Sequence, residues 1–376
     1  MKTSTFFCSA IYLLALPLQA QEAAKAKLQI INASKEKVSI LWLKDQKEEV
    51  PQQPVDVGDD TVIDTTIGHR FAIVGAESKT RTEIVSEILV QAYRYAPEEK
   101  DGIPTFYTQR VKAGGFPIVA SAVVNPYALK EASYLVNLML IKRTDVREAM
   151  IKSGARLCII GYNEFTTDLP EFRHFENFKS PYPNISAKDF WDARARGTGG
   201  SQTDPYCTCG EENLLGYEGD PYNTENILIH EFAHNIHLRG MLNVDPTFDT
   251  RLEKAYKEAM AKGLWKDKYA ATNHYEYFAE GVQSWFNNNR ENDHDHNHVN
   301  TRKELIEYDP VLAEFCQEVF VDTDFTYTKP TTRLTGHMKG YNPSKAPTFL
   351  WPARVQKAKE AIKKANLEAD QPKNDN

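Results

Sequence analysis

One pentapeptide constrains this chain more than any other feature of its sequence. His230 and His234 stand four residues apart in the run His-Glu-Phe-Ala-His, with Glu231 directly after the first histidine. Asn223-Thr224-Glu225 is typical of a helix start and Gly240 of a helix end, which predicts one helix for the run. Both imidazoles then lie on one helical face and can reach a single Zn²⁺ at about 2.1 Å. Glu231 projects beside that face, where it can take a proton from an attacking water instead of binding the metal.

A pentapeptide of this kind needs a third metal ligand, because the same spacing also occurs by chance on solvent-facing helices. In metzincins a glycine and a third histidine follow the second histidine by three and six residues, but His237 and Gly240 occupy those positions here. His237 would stand about 10 Å along the helix axis from His230, too far to share one tetrahedral ion. We expect His237 to line the pocket or to support a ligand; the alternative is an ordinary buried histidine.

A second helix, predicted around residues 272–286, offers the missing ligand. Glu276 and Glu280 are four residues apart and face the same way. One carboxylate can bind the metal while the other accepts the free N–H of a ligating histidine. Such pairs are also common on solvated helices, but Phe278 and Trp285 indicate a buried helix here, and two buried carboxylates need a cation nearby.

These two segments together resemble a known family. The run His-Glu-Phe-Ala-His, then Tyr269-Ala270-Ala271-Thr272-Asn273 and Glu276-Tyr277-Phe278-Ala279-Glu280, is similar to the catalytic domain of anthrax toxin lethal factor and its relatives, which include the Pro-Pro endopeptidases. The resemblance covers about residues 225–286. It implies a zinc-dependent metalloendopeptidase that holds one zinc ion per chain and acts on a peptide or protein substrate. By that resemblance the site comprises the ligands His230, His234 and Glu276, the base Glu231, the oxyanion donor Tyr269 and the supporting residue Glu280. We also expect His237 and Asn273 to act as supporting residues, although the relatives need not have an imidazole at the position of His237.

Two other functions remain open from the sequence. The chain can be an aminopeptidase of the same gluzincin class, with Gly210-Glu211-Glu212-Asn213 offering carboxylates to a substrate's amino terminus. It can also be a non-catalytic zinc-binding protein that recognises a partner. Against the second reading, a decayed enzyme has no reason to keep Glu231 and Tyr269 together with the ligands.

Residues 28–76 have the pattern of a small all-β module. Alternation of apolar and polar residues predicts strands in Val38-Ser39-Ile40-Leu41-Trp42 and in Thr61-Val62-Ile63-Asp64-Thr65. With Asn32-Ala33-Ser34 and Gly68-His69-Arg70-Phe71, these segments resemble the β domain of the von Hippel-Lindau protein. That resemblance implies a β sandwich on which a peptide or partner docks; a packed N-terminal appendage is the alternative.

A larger α+β domain is predicted for residues 80–347, and the lethal factor resemblance implies that it is a zincin of the gluzincin type. The 3.6-residue spacing of apolar side chains predicts helices near 82–96 and over 128–152, and 156–161 has the composition of a buried strand. Residues 348–376 are expected to form a Lys-rich tail that begins as a helix and becomes disordered.

The first twenty residues predict export. Lys2 is followed by an apolar stretch from Phe6 to Leu18 and by the small residue Ala20, which is the pattern of a signal peptide over residues 1–20. The stretch is shorter than the roughly 20 residues that a membrane span needs, and no second such stretch follows, so we expect a secreted or periplasmic protein without a transmembrane segment. The formal net charge of -7 argues against nucleic acid as a partner.

Cysteines and a histidine-rich stretch give weaker signals. An even number of cysteines in an exported chain permits up to two disulfides. The four cysteines that follow the predicted signal peptide are Cys158, Cys207, Cys209 and Cys316. The alternating tract with His294, His296 and His298 can be an accessory metal site, although a solvated loop is the more common explanation.

Overall fold

The computed structural model describes residues 24–45 and 48–369, and within them the chain is a mixed α+β structure with several sheets. The predicted signal peptide, residues 1–20, lies outside the described residues, as does the end of the predicted tail from residue 370. No helix in the described part of the chain combines the length and the apolar character needed to cross a membrane.

The N-terminal region contains two sheets that pack face to face, and all their strand pairs are antiparallel except the parallel pair of β1 and β7. One sheet has the order β4-β1-β7 and the other the order β3-β2-β5-β6. Leu28, Ile40 and Ile73 belong to one core that both sheets share, because the apolar positions of their alternating strands point inward. The strands are β1 Lys25–Asn32, β2 Val38–Leu43, β3 Glu49–Pro51, β4 Asp60–Thr66, β5 Arg70–Gly75, β6 Arg81–Val85 and β7 Val90–Tyr95.

The prediction of a helix near residues 82–96 is wrong, because β6 and β7 occupy this segment. Val90, Ala92 and Tyr95 are buried while intermediate positions are more exposed, which is closer to a strand period than to a helix period. β7 also pairs in parallel with β1, so its backbone groups complete a sheet that the local sequence alone does not reveal. The β structure therefore continues to Tyr95.

A five-stranded sheet forms the centre of the larger C-terminal region. Its order is β11-β12-β10-β9-β8, in which β9, β10 and β12 run parallel and the two edge strands run antiparallel to their neighbours. The strands are β8 Gln109–Ala113, β9 Phe116–Ala120, β10 Arg156–Ile160, β11 Gly197–Thr198 and β12 Tyr206–Gly210. The buried strand predicted at 156–161 is confirmed as β10.

Helices cover this sheet and build the rest of the region. The α-helices are α1 Pro126–Met139, α2 Thr144–Lys152, α3 Ala187–Arg194, α4 Glu211–Leu215, α5 Ile227–Asn235, α6 Leu242–Val244, α7 Phe248–Ala261, α8 His274–Trp285, α9 Arg302–Tyr308, α10 Pro310–Phe320 and α11 Ala353–Ala369. Short 3₁₀ turns lie at Lys100–Gly102, Thr166–Asp168, Arg173–Asn177, Tyr269–Ala271, Pro330–Thr332, Gly336–Met338 and Pro343–Lys345. The single helix predicted over 128–152 is divided into α1 and α2. In the predicted tail, α11 packs against α3 and buries Val355 and Ala358.

Helices α5 and α8 meet in the core of this region. Asn226 caps α5 by accepting from the backbone N–H of Ile229, so the helix begins slightly later than predicted. Gly240 does not end the helix, since a π-helical segment, Ile236–Met241, leads on into α6. A Cβ at position 240 would lie 2.6 Å from Val146 Cγ1, so this glycine permits close packing against α2.

The four cysteines among the described residues are buried free thiols, so neither of the two disulfides that the sequence permits between them is formed. Cys158 lies on β10, while Cys207 and Cys209 lie on the neighbouring strand β12. Burial raises the pKa of these thiols, which keeps them protonated. They act as small apolar residues of the core.

Candidate metal centre

Helix α5 presents its two histidines toward α8. His230 and His234 are buried on one face of α5, one turn apart. Phe232, on another face, packs against Phe116 of the sheet, with ring centroids 5.3 Å apart. Because α5 is anchored to the sheet on that side, the histidines are directed to the side where α8 approaches.

Glu276 from α8 completes a three-membered cluster. The Nε2 atoms of His230 and His234 are 3.2 Å apart. Oε2 of Glu276 lies 3.1 Å from Nε2 of His230 and 3.3 Å from Nε2 of His234. Three ligand atoms that each sit about 2.0–2.1 Å from one tetrahedral ion are separated by about 3.3 Å, so this triangle fits Zn²⁺ or a similar ion. In the described part of the chain, this is the one group of histidine, cysteine and acidic residues whose ligand atoms converge in this way.

Asn273 fixes the position of Glu276 along the chain. Its side chain caps α8 by accepting from the backbone N–H groups of Tyr275 and Glu276. The cap starts the helix so that Glu276 falls in its first turn, facing α5. Asn273 therefore acts on the centre through the helix start rather than through contact with a ligand atom.

Behind the cluster, the other ring nitrogen of His230 faces two acceptors. Nδ1 of His230 lies 2.9 Å from Oε1 of Gln283 and 3.4 Å from Oε1 of Glu280. Glu280 is itself held by Asn289, which donates to Oε2 at 3.0 Å, and by His296, whose Nε2 is 3.3 Å from Oε2. The support of His230 is thus broader than the single carboxylate that the sequence predicts.

The carboxylates of α8 are held in their charged form. Burial alone raises the pKa of Glu276, but its hydrogen bonds to His230 and His234 outweigh burial and bring that pKa well below the ordinary value. Burial is likewise outweighed at Glu280, where hydrogen bonds to His230 and His296 lower the pKa to about 2. Burial lowers the pKa of His230, but its hydrogen bonds to Glu276 and Glu280 outweigh burial and raise that pKa. Without a metal the carboxylates are therefore paired with a protonated imidazole, whose charge a bound cation can replace.

Glu231 is half-buried at the edge of the cluster and lines the adjoining cleft. Burial raises its pKa, while the neighbouring His230 and His234 act in the opposite direction. Strand β11 passes directly beside it: a Cβ at Gly197 would lie 2.9 Å from Cγ of Glu231. The carboxylate is therefore confined between α5 and β11, next to the triangle of ligand atoms.

Tyr269 lies on the open side of the cleft. It belongs to the 3₁₀ turn before α8, is 41% exposed, and its ring centroid is 6.2 Å from that of His230. Burial of the hydroxyl and the charges of Glu276 and Glu231 raise its pKa, so the hydroxyl stays protonated and can donate a hydrogen bond.

His237 lies away from the cleft. It is fully buried, and its Nε2 is 2.9 Å from Oδ1 of Asp249, which also contacts Nε2 of His274 at 3.0 Å. The His237 contact is short but poorly directed for a hydrogen bond. Of the two alternatives from the sequence, the position of His237 agrees with the ordinary buried histidine.

The histidine-rich tract does not gather into a metal site. His294 and His298 are exposed, whereas His296 is buried against Glu280 and Asp293. His296 is therefore part of the candidate centre, which the alternation of the tract does not indicate. Gln283 was detectable in principle, because it follows Glu276 and Glu280 at the helical spacing of seven and three residues.

The segment Gly210-Glu211-Glu212-Asn213 is buried and does not line the cleft. Glu212 forms an ion pair with Arg196, whose Nε is 2.7 Å from Oε1 of Glu212. Glu211 accepts from the hydroxyl of Tyr217 at 2.7 Å. Both carboxylates already have partners inside the protein, so they are not available to a substrate's amino terminus.

The cleft over the centre has a volume of about 890 Å³. Its walls are formed by β11 and the loop after it, by α5, and by the start of α8. Wall residues outside the cluster include Trp191, Thr198, Gln202, Tyr222, Leu238 and Tyr275.

Comparison of the sequence with protein-family models gives no match, and no curated protein matches the chain at a significant level.

Proposed function

We propose that the chain is a zinc-dependent metalloendopeptidase with a gluzincin-type zincin domain. The observation that carries the proposal is the triangle of His230 Nε2, His234 Nε2 and Glu276 Oε2, with sides of 3.1 to 3.3 Å, at the base of a cleft. Its donor set of two imidazoles and one carboxylate is typical of catalytic zinc sites, which keep a further coordination position open.

When bound, the zinc ion supplies Lewis acidity toward a water molecule and the scissile carbonyl. Glu231 takes the proton of the attacking water and delivers it to the leaving amine. The Tyr269 hydroxyl donates to the oxygen of the carbonyl as negative charge develops on it. A base and an oxyanion donor beside the ligands favour an enzyme over a non-catalytic zinc-binding protein.

Two observations favour an endopeptidase over an aminopeptidase. The carboxylates of the 210–213 segment are committed to Arg196 and Tyr217. β11 also forms an edge of the central sheet, and β12 is its only strand partner among the described residues. A substrate in extended conformation can pair with such an edge on both sides of the cleaved bond.

The proposal includes an exported location and a docking role for the N-terminal β module. Export is supported by the pattern of residues 1–20 in the sequence. Docking is supported by a groove of about 990 Å³ on the module, lined by Trp42 and His69 and reaching Gln202, which also lines the cleft. A long peptide bound in the cleft can therefore continue onto the module.

Cleavage of a peptide library tests the proposed function. The purified protein with one equivalent of zinc is incubated with diverse N-terminally acetylated peptides, and the products are mapped by mass spectrometry. We expect internal cuts that a chelator abolishes and added zinc restores, because hydrolysis depends on the metal. Cuts that persist after metal removal, or a requirement for free amino termini, would contradict the proposal.

The variant Glu231→Gln separates catalysis from metal binding. It removes the base but none of the three ligands, so we expect zinc to remain bound at one equivalent while cleavage falls below detection. Glu258→Gln, at an exposed position on α7, is the matched control and should cleave like the parent. Undiminished cleavage by Glu231→Gln would remove the mechanism.

A further inference from the structure

His230 can bind a metal through Nε2 only in one protonation state. The single proton of the neutral imidazole must then reside on Nδ1, and a hydrogen-bond acceptor at Nδ1 stabilises that tautomer. Two acceptors compete for this proton: Gln283 Oε1 at 2.9 Å and Glu280 Oε1 at 3.4 Å. The shorter distance identifies Gln283 as the hydrogen-bond partner.

An amide can face an imidazole with either its oxygen or its nitrogen, so the orientation of Gln283 decides its role. On its far side, Nε2 of Gln283 lies 2.7 Å from Oε2 of Glu225, a buried residue near the start of α5. A carboxylate accepts hydrogen bonds and does not donate them, so Glu225 requires the NH₂ group. The amide oxygen is thereby turned toward His230.

The two ends of this chain of contacts are anchored separately. Burial raises the pKa of Glu225, while the hydrogen bond from Gln283 and the charge of Arg290, whose Nη1 lies 3.7 Å from Oε1 of Glu225, act in the opposite direction. Glu280 is engaged through its other oxygen, which accepts from Asn289 and lies near His296. Glu280 therefore contributes negative charge near His230 without having to accept the Nδ1 proton.

We propose that Gln283, oriented by Glu225, is the positioning residue that holds the proton of His230 on Nδ1 and so leaves Nε2 free for the metal. The inference rests on the metal site of the proposed function and adds two residues to it. It also changes the role of Glu280, which the sequence predicts as the acceptor of this N–H.

The test measures zinc affinity by competition with a chromogenic chelator, and the His230 Nδ1–H signal by ¹⁵N–¹H correlation spectroscopy of the metal-loaded protein. Gln283→Met keeps the length of the side chain but removes the acceptor. We expect it to bind zinc about 10- to 100-fold more weakly and to lose the protected Nδ1–H signal. Gln317→Met, at an exposed position on α10, is the matched control and should match the parent.

A charge exchange distinguishes a positioning role from a packing role. In the double variant Glu225→Gln with Gln283→Glu, the new carboxylate at position 283 accepts from both His230 and the new amide at position 225. We expect this variant to recover most of the zinc affinity and the Nδ1–H signal. Parent-like affinity in Gln283→Met, or a double variant no better than Gln283→Met, would overturn the inference.

These outcomes are separable from those of the proposed function, because neither readout requires a peptide. If the zinc-loaded parent cleaves no peptide but Gln283→Met loses affinity, the endopeptidase proposal fails and the inference stands. If Gln283→Met binds zinc like the parent while Glu231→Gln abolishes cleavage, the inference fails and the proposed function stands.

Discussion

Ionisable residues crowd the space between α5 and α8. The carboxylates of Glu276 and Glu280 are held charged against His230 and His234, and Glu231 adds a third carboxylate at the cleft edge. Removing so many charged groups from water costs several kcal/mol each unless opposite charge is supplied. The divalent cation that we propose at the triangle of ligand atoms would supply it.

Substitution of Tyr269 tests the proposed mechanism at the level of a single residue. Tyr269→Phe removes only the hydroxyl that we propose as donor to the oxyanion, so we expect kcat to fall by about 10²- to 10³-fold, with zinc affinity and KM nearly unchanged. Steady-state kinetics on a cleaved library peptide give both constants. Tyr275→Phe, which also alters a cleft tyrosine, is the control. An unchanged kcat in Tyr269→Phe would assign the oxyanion to another donor.

Helices α5 and α8 were predictable because the candidate ligands and their supporting residues recur at helical spacing in the sequence. The pairs His230/His234 and Glu276/Glu280 each occur four residues apart within apolar surroundings, which predicts both helices and the faces that meet. Gln283 continues the same spacing, so its presence on this face was predictable, but its role at His230 was not. Its role depends on Glu225, which approaches from a different helix end.

Strand β11 and strands β6 and β7 were not predictable in the same way. β11 consists of Gly197–Thr198 within a run of small and polar residues, and its strand conformation depends on pairing with β12. β7 is completed by parallel pairing with β1, about sixty residues earlier in the chain. Such long-range pairing leaves no local pattern, so the sequence there was compatible with a helix.

The loop after β11 offers a test at the element scale. A Cβ at Gly199 would lie 2.4 Å from Cβ of His234, so Gly199→Ala must displace either the loop or the histidine. We expect a loss of about 1–3 kcal/mol in the free energy of unfolding and weaker zinc binding. Denaturant unfolding and zinc competition measure the two effects.

Gly58→Ala is the control for that loop. Gly58 has a φ of 82° in an exposed turn with no atom within 4 Å of a built Cβ. The substitution should destabilise the fold by about 1 kcal/mol through backbone strain while leaving zinc affinity unchanged. Unaltered zinc affinity in Gly199→Ala would mean that β11 does not constrain the centre.

Buried acids outside the centre affect the stability of the whole molecule. Burial raises the pKa of Glu211 to about 7, from an ordinary value of 4.5. The folded protein therefore keeps a proton that the unfolded chain releases, and the free energy of unfolding falls as the pH rises through this interval. Asp204 and Asp220, whose pKa values burial raises to about 6, act in the same direction.

Glu211→Gln should remove part of this pH dependence. The amide keeps an acceptor for the hydroxyl of Tyr217 and cannot ionise, so the stability of the variant relative to the parent should increase by about 1–3 kcal/mol between pH 5 and pH 8. Denaturant unfolding at both pH values measures the difference. Glu218→Gln, at an exposed position nearby, should follow the parent. A variant that loses stability relative to the parent as the pH rises would contradict the sign.

At the scale of the whole molecule, the proposed function requires that α5 and α8 hold one metal ion between them. Anomalous X-ray scattering at the zinc absorption edge, from a crystal of the protein loaded with one equivalent of zinc, tests this most directly. We predict a single strong peak about 2.0–2.2 Å from Nε2 of His230, Nε2 of His234 and a carboxylate oxygen of Glu276. A peak at another group of residues, or none between α5 and α8, would contradict the account.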